Sequence, residues 1–274
     1  MRRWLLTVVG AGISALYLFP VYWMYASALK TSDELNASPP TLVPHAPTLA
    51  AFRWIFEREN IALFMTNSVV LSVGVTVLTL VLATGAAYSL ARKTSLWMDA
   101  MLVGVMLSQV LSQVLPPPLL VTPMFVIFRQ LGLINTQIAV ILATTTKTLP
   151  FAIVMLRTSF AQVPVDLEDA ARVDGSSRVM AFLRITLPLA RVGYIVVGAL
   201  VFLLAYGEFV YPVSLLNRKS LQPATVGLYG FVGADYSDWG NAMAFASVFV
   251  TPVIIVFMLL QRRIVSGLTA GALK

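Results

Sequence analysis

The sequence predicts an all-α, polytopic membrane protein with six transmembrane helices, and three observations predict it: composition, long apolar windows and the placement of basic residues. Hydrophobic residues make up 58% of the 274-residue chain and charged residues 11%, with a mean hydropathy of +0.85. Soluble domains carry about 25% charged residues. A helix needs roughly 20 apolar residues to cross the hydrocarbon core, and windows at about 4–29, 61–90, 99–125, 136–157, 190–214 and 240–261 meet that need. They must be helices, because a lipid-facing backbone has to satisfy its own hydrogen bonds. With the N-terminus inside, the inner segments hold 12 basic residues and the outer segments 6, so both termini are expected to face the cytoplasm.

Composition also excludes several functions. There is no cysteine and a single histidine, His45, so disulfides, thiolate metal sites and histidine-based metal or nucleophile–base sets cannot be assembled from this chain. The net charge of +7 flanks apolar runs instead of forming a basic face, which suits an anionic leaflet and not nucleic acid. No Gly-rich Lys-Ser/Thr phosphate loop is present, so active transport needs its energy from another polypeptide.

The first window begins at Trp4 after Arg2 and Arg3; it exceeds the ~7–15 residues of a signal-peptide core and is expected to be retained. An outer segment follows at 30–60. Its first part carries Pro39, Pro40, Pro44 and Pro47 and should be irregular. Ala50 to Glu59 is expected to form a short surface helix anchored by Phe52, Trp54, Ile55 and Phe56. Prolines mark the spans too: Pro20, Pro150, Pro212 and Pro252 lie in or beside apolar runs, and Pro116–Pro118 with Pro123 fall in the third. Each removes an amide donor and crowds the preceding turn, so bends are expected. Such bends serve either ordinary bundle packing or gating of a passage. The segment 215–239 suits a short helix or a re-entrant piece.

Four polar residues inside the apolar windows are candidate site residues. Lys147 falls in the fourth among threonines, Glu208 in the fifth, and Gln109 and Gln113 in the third. Charges at such depth face protein or water. Lys147 and Glu208 therefore suit a buried pair, within this chain or with a partner, or the lining of a cavity. The glutamines are weaker cavity candidates, because each can simply bond a neighbouring helix.

The inner loop 158–189 is the most informative stretch. It contains PVDLEDAARVDGSSRVMAFLRITLP, from Pro164 to Pro188, too polar for lipid yet patterned as two short helices joined at a glycine. Asp166 and Asp169 suggest a capping box, Gly175 should interrupt the helix, and Ser176 or Ser177 can cap its continuation. Leu167, Ala171 and Asp174 fall at helical spacing, and Val179, Phe182 and Leu183 suggest an apolar face. Pro188 suits the start of the fifth span, where its missing donor costs little. By pattern alone the loop is either an amphipathic hairpin on the membrane surface or a lever that docks into a soluble subunit.

The same residues resemble the EAA motif of ATP-binding cassette importer permeases, whose pattern is Glu-Ala-Ala, three residues, Gly, nine residues, Ile, one residue, Leu-Pro. Here it reads Asp169-Ala170-Ala171, Gly175, Ile185 and Leu187-Pro188, with every spacing kept and Asp in place of Glu. Further stretches resemble the carbohydrate-type, MalG-like branch: Phe19-Pro20 with Ser27 to Lys30, Asn67-Ser68, Leu131 to Thr136, Leu149-Pro150-Phe151, Asp238-Trp239, and the ending Gly267 to Lys274. Where that branch often has Trp-Asn-Glu-Phe, this chain has Tyr206-Gly207-Glu208-Phe209.

The resemblance implies a type I importer permease fold forming one transmembrane domain over 1–274, in a bacterial inner membrane. It implies a second, homologous permease, a dimer of ATPase subunits carrying ATP and Mg, and an outer solute-binding protein. No cofactor is implied for this chain. Asp169, Ala170, Ala171, Arg172, Asp174, Gly175, Ile185, Leu187 and Pro188 would form the ATPase-coupling element, and Gly267, Thr269 and Gly271 of the tail 263–274 would add a contact. The implied cargo is a di- or oligosaccharide or a related polyol. A non-sugar importer and a secondary transporter are the alternatives; the latter fits poorly, since the chain has no evident duplicated half.

Overall fold

The computed structural model describes residues 2–233 and 236–269. Fourteen α-helical segments occur among them. In order they are α1 (Arg2–Ala28), α2 (Ser32–Leu35), α3 (Ala50–Glu57), α4 (Ile61–Arg92), α5 (Leu96–Val114), α6 (Pro117–Gln130) and α7 (Gln137–Ala161). Next come α8 (Val165–Val173), α9 (Arg178–Ala181), a π-turn (Phe182–Thr186), α10 (Leu187–Leu189) and α11 (Arg191–Tyr206). The last are α12 (Val210–Leu215), a 3-10 turn (Lys219–Leu221), α13 (Ala224–Tyr229) and α14 (Trp239–Thr269), with a small hairpin of β1 (Val232–Gly233) and antiparallel β2 (Tyr236–Ser237) before α14. Among the described residues, five helices are long and apolar enough to cross a membrane. They lie at Leu6–Ala28, Ile61–Arg92, Leu96–Val114, Gln137–Ala161 and Trp239–Leu259. The pair Arg178–Leu189 and Arg191–Tyr206, bent by 78°, passes the same test as a sixth.

Two predicted spans are not single helices. The third window breaks at Leu115–Pro116, both of which are extended, with ψ 135° and 137°. A residue before proline is pushed out of the helical region, and here two consecutive residues precede prolines. Pro117 and Pro118 then open α6, at positions whose amides would lack helical partners anyway. The fifth window breaks at Gly207–Phe209, between α11 and α12, so Pro212 lies in the second piece. Pro188 does not open α11 either; it sits in α10, ahead of the bend at Ala190.

The chain divides into two compact units. One comprises the residues up to Met65 together with Ala224–Ile255. Its core gathers Ala28, Ile55, Ile61, Phe64, Ala224, Phe231, Ala244 and Phe245. Tyr25 on α1 donates toward Ser247 O (3.2 Å) and lies 2.7 Å from Thr251 Oγ1 on α14. The segment after α1 is irregular, as its prolines require, but it is tied down. Glu34 accepts from Thr41 Oγ1 (2.6 Å) and from the His45 amide (3.0 Å), and these bonds, led by Thr41, hold its carboxyl below the ordinary value. Lys30 is buried, donates to Thr41 O (2.5 Å) and lies 4.4 Å from the Trp23 ring centroid. The short helix α3 does not present its predicted anchors as a set. Ile55 is fully buried, Phe52 and Trp54 pack against the core, and only Phe56 is exposed.

The second unit comprises Thr66–Pro223 and the chain from Val256. Val75, Ala83, Ala87, Leu156, Phe160, Val197 and Val201 form its main core, drawn from α4, α7 and α11. Small residues permit this packing: a Cβ on Gly193 of α11 would overlap the side chain of Ser159 on α7. At the end of this unit farthest along α4 from Arg92, Asn67 Nδ2 donates to Ser220 O (2.9 Å) and Gln222 O (3.0 Å). There Asn135, held at φ 63°, accepts from the Asn217 amide (2.5 Å). The large apolar side chains of α5, including Trp97, Met101, Leu107 and Val110, are exposed, as suits a surface that meets lipid or another apolar protein surface.

Candidate functional site

The elbow between α7 and α11 is built from local sequence. Pro164 stands at the N-cap of α8 and supplies no side-chain acceptor, so the expected Asp166–Asp169 capping box does not form. Asp169 instead pairs with Arg172 at 3.1 Å across an exposed turn, an interaction of about 0.2–0.5 kcal/mol. The helix closes on a Schellman arrangement: Ser176 N donates to Ala171 O (2.9 Å) and Gly175 N to Arg172 O (3.1 Å). That closure needs the left-handed backbone of Gly175, φ 91°. Ser177 then caps α9, accepting from the Met180 amide at 3.2 Å.

Asp169, Ala170, Arg172, Asp174 and Gly175 are exposed on this elbow, and Ala171 is half-buried. Val173, beside them, is 88% exposed. Ile185 and Leu187 are half-buried and Pro188 is exposed. Of the expected apolar face on the second helix only Phe182 packs inward, 4.7 Å from the Tyr88 ring; Val179 and Leu183 remain exposed. A π-turn follows: one extra residue in the turn, closed by Leu187 N to Phe182 O, rotates the helix face just before Pro188.

The structure adds a residue that the sequence reading passed over. Glu168, one position before the motif, is 5% exposed. Its Oε1 accepts from Arg92 Nε (2.9 Å), Arg92 Nη2 (2.5 Å) and the Thr186 hydroxyl, and its Oε2 accepts from Tyr88 Oη (2.5 Å). Arg92 Nη1 donates in turn to Val163 O (3.0 Å). Burial pushes this carboxyl up, but the hydrogen bonds from Thr186, Tyr88 and Arg92 and the Arg92 charge outweigh it, so its value lies below the ordinary one. The ionised cluster therefore contributes fully above the usual carboxylate value of about 4.3 and is lost as pH falls through the lower folded value.

Lys147, Glu208, Gln109 and Gln113 also come together. Lys147 Nζ lies 2.7 Å from Glu208 Oε2, with Glu208 buried and the Lys147 side chain 43% exposed. Glu208 sits in the break after α11, where its Oε1 accepts from the amides of Val210 (2.9 Å) and Tyr211 (3.4 Å) and so caps α12. A carboxylate at a helix N-terminus is also favoured by the helix dipole. Lys147 and Glu208 line an open cleft of about 540 Å³ with Gln109, Ser112, Gln113, Thr148 and Phe151. The pair is thus within the chain and at a cavity edge at once. Gly267 and Thr269 lie in α14, and Gly271 falls outside the described residues. Among the described residues no group of three or more His, Asp or Glu could hold a metal ion.

Comparison with known proteins gives a consistent picture. Residues 80–270 match the family described as binding-protein-dependent transport system inner membrane component. The chain is 36% identical over 257 residues to the sulfoquinovosyl glycerol transport system permease protein SmoH of Agrobacterium fabrum, covering 94% of this chain and 89% of that protein. It is 34% identical to the diacetylchitobiose uptake system permease protein DasC of Streptomyces coelicolor, over the full length of both. Its fold is similar to a chain of a bacterial ABC transporter involved in the import of the acidic polysaccharide alginate. That match has a TM-score of 0.80 at 18% identity, over 94% of this chain and 95% of the other.

Proposed function

The chain belongs to the family of binding-protein-dependent transport system inner membrane components, and from that premise we propose that it carries a carbohydrate, or a related polyol, through an ATP-driven importer. It is a multi-pass, non-catalytic permease subunit, and hydrolysis of ATP resides on a separate subunit. The observation that carries the cargo class is similarity along nearly the whole chain to permeases whose names specify glycosides. The cleft beside Lys147 and Glu208 supports it. Gln109, Gln113 and Ser112 offer hydrogen-bonding groups suited to hydroxyls, and Phe151 offers an aromatic face.

In this reading a homologous permease pairs with this chain, two ATPase subunits dock below, and a solute-binding protein delivers cargo from outside. Both termini lie in the cytoplasm of a bacterial cell and the spans in its inner membrane. The elbow is the ATPase contact. Ala170 and Ala171 let another backbone come close, Asp169 and Arg172 offer charge on either side, and Gly175 sets the turn. Ile185, Leu187 and Pro188 carry the motion toward α11, and Gly267, Thr269 and Gly271 add a contact from the tail.

The reading is tested with the complex of both permeases, the ATPase and the receptor in liposomes, offered radiolabelled diacetylchitobiose, trehalose and an amino acid in turn. ATP-dependent uptake of a glycoside is expected; uptake of the amino acid alone would overturn the cargo class. In the same assay Ala170→Trp should lower uptake at least about tenfold, since a bulky side chain costs upward of 1.4 kcal/mol at a close-packed contact. Permease pairing should be retained. Undiminished uptake by Ala170→Trp would argue against docking at this surface.

A further inference from the structure

Rigid transmission through the elbow needs more than an exposed contact surface. Helix α8 is joined to its neighbours by two short non-helical connections, 162–164 on one side and 174–177 on the other. A push on α8 passed through these alone would bend the connections before it moved a span. Motion reaches the spans only if α8 is held to them by contacts that do not yield.

Glu168 provides such contacts. It points inward from α8 while Asp169, Ala170 and Arg172 stay exposed on the same helix. Its carboxylate is bonded at once to Arg92 and Tyr88 near the end of α4 and to Thr186 in the π-turn that leads to α11. Arg92 extends the cluster to Val163, just after α7. Beside it Phe160 packs edge to face against Tyr88 and Phe182, and those two rings meet at a tilt, with centroids 4.7–6.3 Å apart. A carboxylate with several charge-assisted bonds is a strong junction, because releasing it would leave a buried charge unpaired.

We propose that Glu168 is a positioning residue that clamps α8, the Arg92 end of α4 and the π-turn into one rigid body, so that displacement of the elbow is delivered directly to α4 and α11. The proposal rests on reading α8 as the ATPase contact, but its test does not use that contact as a readout. The Thr186 bond gives the π-turn a purpose: it turns the Thr186 hydroxyl toward Glu168, which a regular helical turn would aim elsewhere. Arg92 and Lys93, adjacent in sequence, divide the work, the first half-buried with its side chain in the clamp and the second exposed.

The chain has no cysteine, so spin labels can be attached to Lys93→Cys and Val173→Cys, both at exposed positions, with no native cysteine of this chain to remove. In the complete reconstituted complex their separation should agree within about 2 Å between the nucleotide-free and the ATP- and vanadate-trapped states, the scale of small helix shifts. A change above about 5 Å, a full helical turn, would overturn the clamp. Glu168→Gln should assemble, broaden that distance distribution and lower transport per ATP hydrolysed by about fivefold, as expected for losing a charge-assisted bond. Wild-type coupling with an unchanged distribution would overturn it.

If Glu168→Gln does not assemble, Tyr88→Phe and Thr186→Val each remove one donor and leave the Arg92 pair. Both should lower transport per ATP, and Thr186→Ser should restore it; wild-type coupling in both would overturn the proposal. Failure of the ATPase to dock at α8 is read separately, from unchanged copurification with Ala170→Trp, and leaves the label distances meaningful.

Discussion

Replacing Arg92 with alanine is expected to destabilise the protein by about 3–5 kcal/mol, the cost of leaving one member of a buried ion pair without its partner. The reason lies in the asymmetry of the cluster. Arg92 and Glu168 side chains are 10% and 7% exposed, so water cannot replace the guanidinium. Tyr88 and Thr186 would remain as donors to Glu168, yet neither carries charge, and Val163 O would lose its donor as well. Thermal unfolding of the purified complex reads the effect as a lowered midpoint. The double change Arg92→Met with Glu168→Met should be less damaging than Arg92→Ala alone, because it removes both charges and keeps volume. A double variant as unstable as the sum of its parts would contradict the ion-pair account.

Glu208→Leu should have the second large effect, about 2–4 kcal/mol together with loss of uptake. The Lys147 ammonium and the amides of Val210 and Tyr211 are among the groups that depend on this carboxylate. Without it α12 loses its cap, and Lys147 keeps a charge with only the cleft to solvate it. Lys147→Met should be milder, because Glu208 still receives both amides. Comparing thermal midpoints and uptake of the two variants gives a clear check. Equal effects would mean that the pair matters only as a pair and that capping of the broken helix contributes nothing.

The sequence contained most of this architecture, and what it withheld was of one physical kind. Apolar length located the spans because hydrocarbon thickness is a local requirement, met by each helix alone. The breaks in the third and fifth windows were marked by Pro116 and by Gly207, but hydropathy averages over such points and reads continuous helices. The residues of the elbow were visible through their spacing, and Gly175 and Ser177 play the turn and cap roles that their types suggest.

Pairings between distant residues were not legible. Lys147 and Glu208 each stood out as a charge in an apolar run, yet nothing in a one-dimensional string joins positions 61 apart. Glu168 was hidden more thoroughly, in a run with Asp166 and Asp169 where all three acids look equivalent. Which one turns inward depends on the phase of α8 after Pro164 and on Arg92, 76 positions earlier. One signal was available: Tyr88 and Arg92 lie four apart at the end of a long apolar helix, so they share a face and invite a carboxylate.

The central claim is that the exposed face of α8 receives a nucleotide-hydrolysing subunit. A photo-crosslinking amino acid at position 170, in the intact complex reconstituted in lipid, tests it most directly. Irradiation should join this chain to a polypeptide that is itself labelled by an azido analogue of ATP, and excess cold ATP should suppress the label without preventing the join. Crosslinks to lipid alone, with the ATP-labelled subunit recovered unattached, would contradict the account.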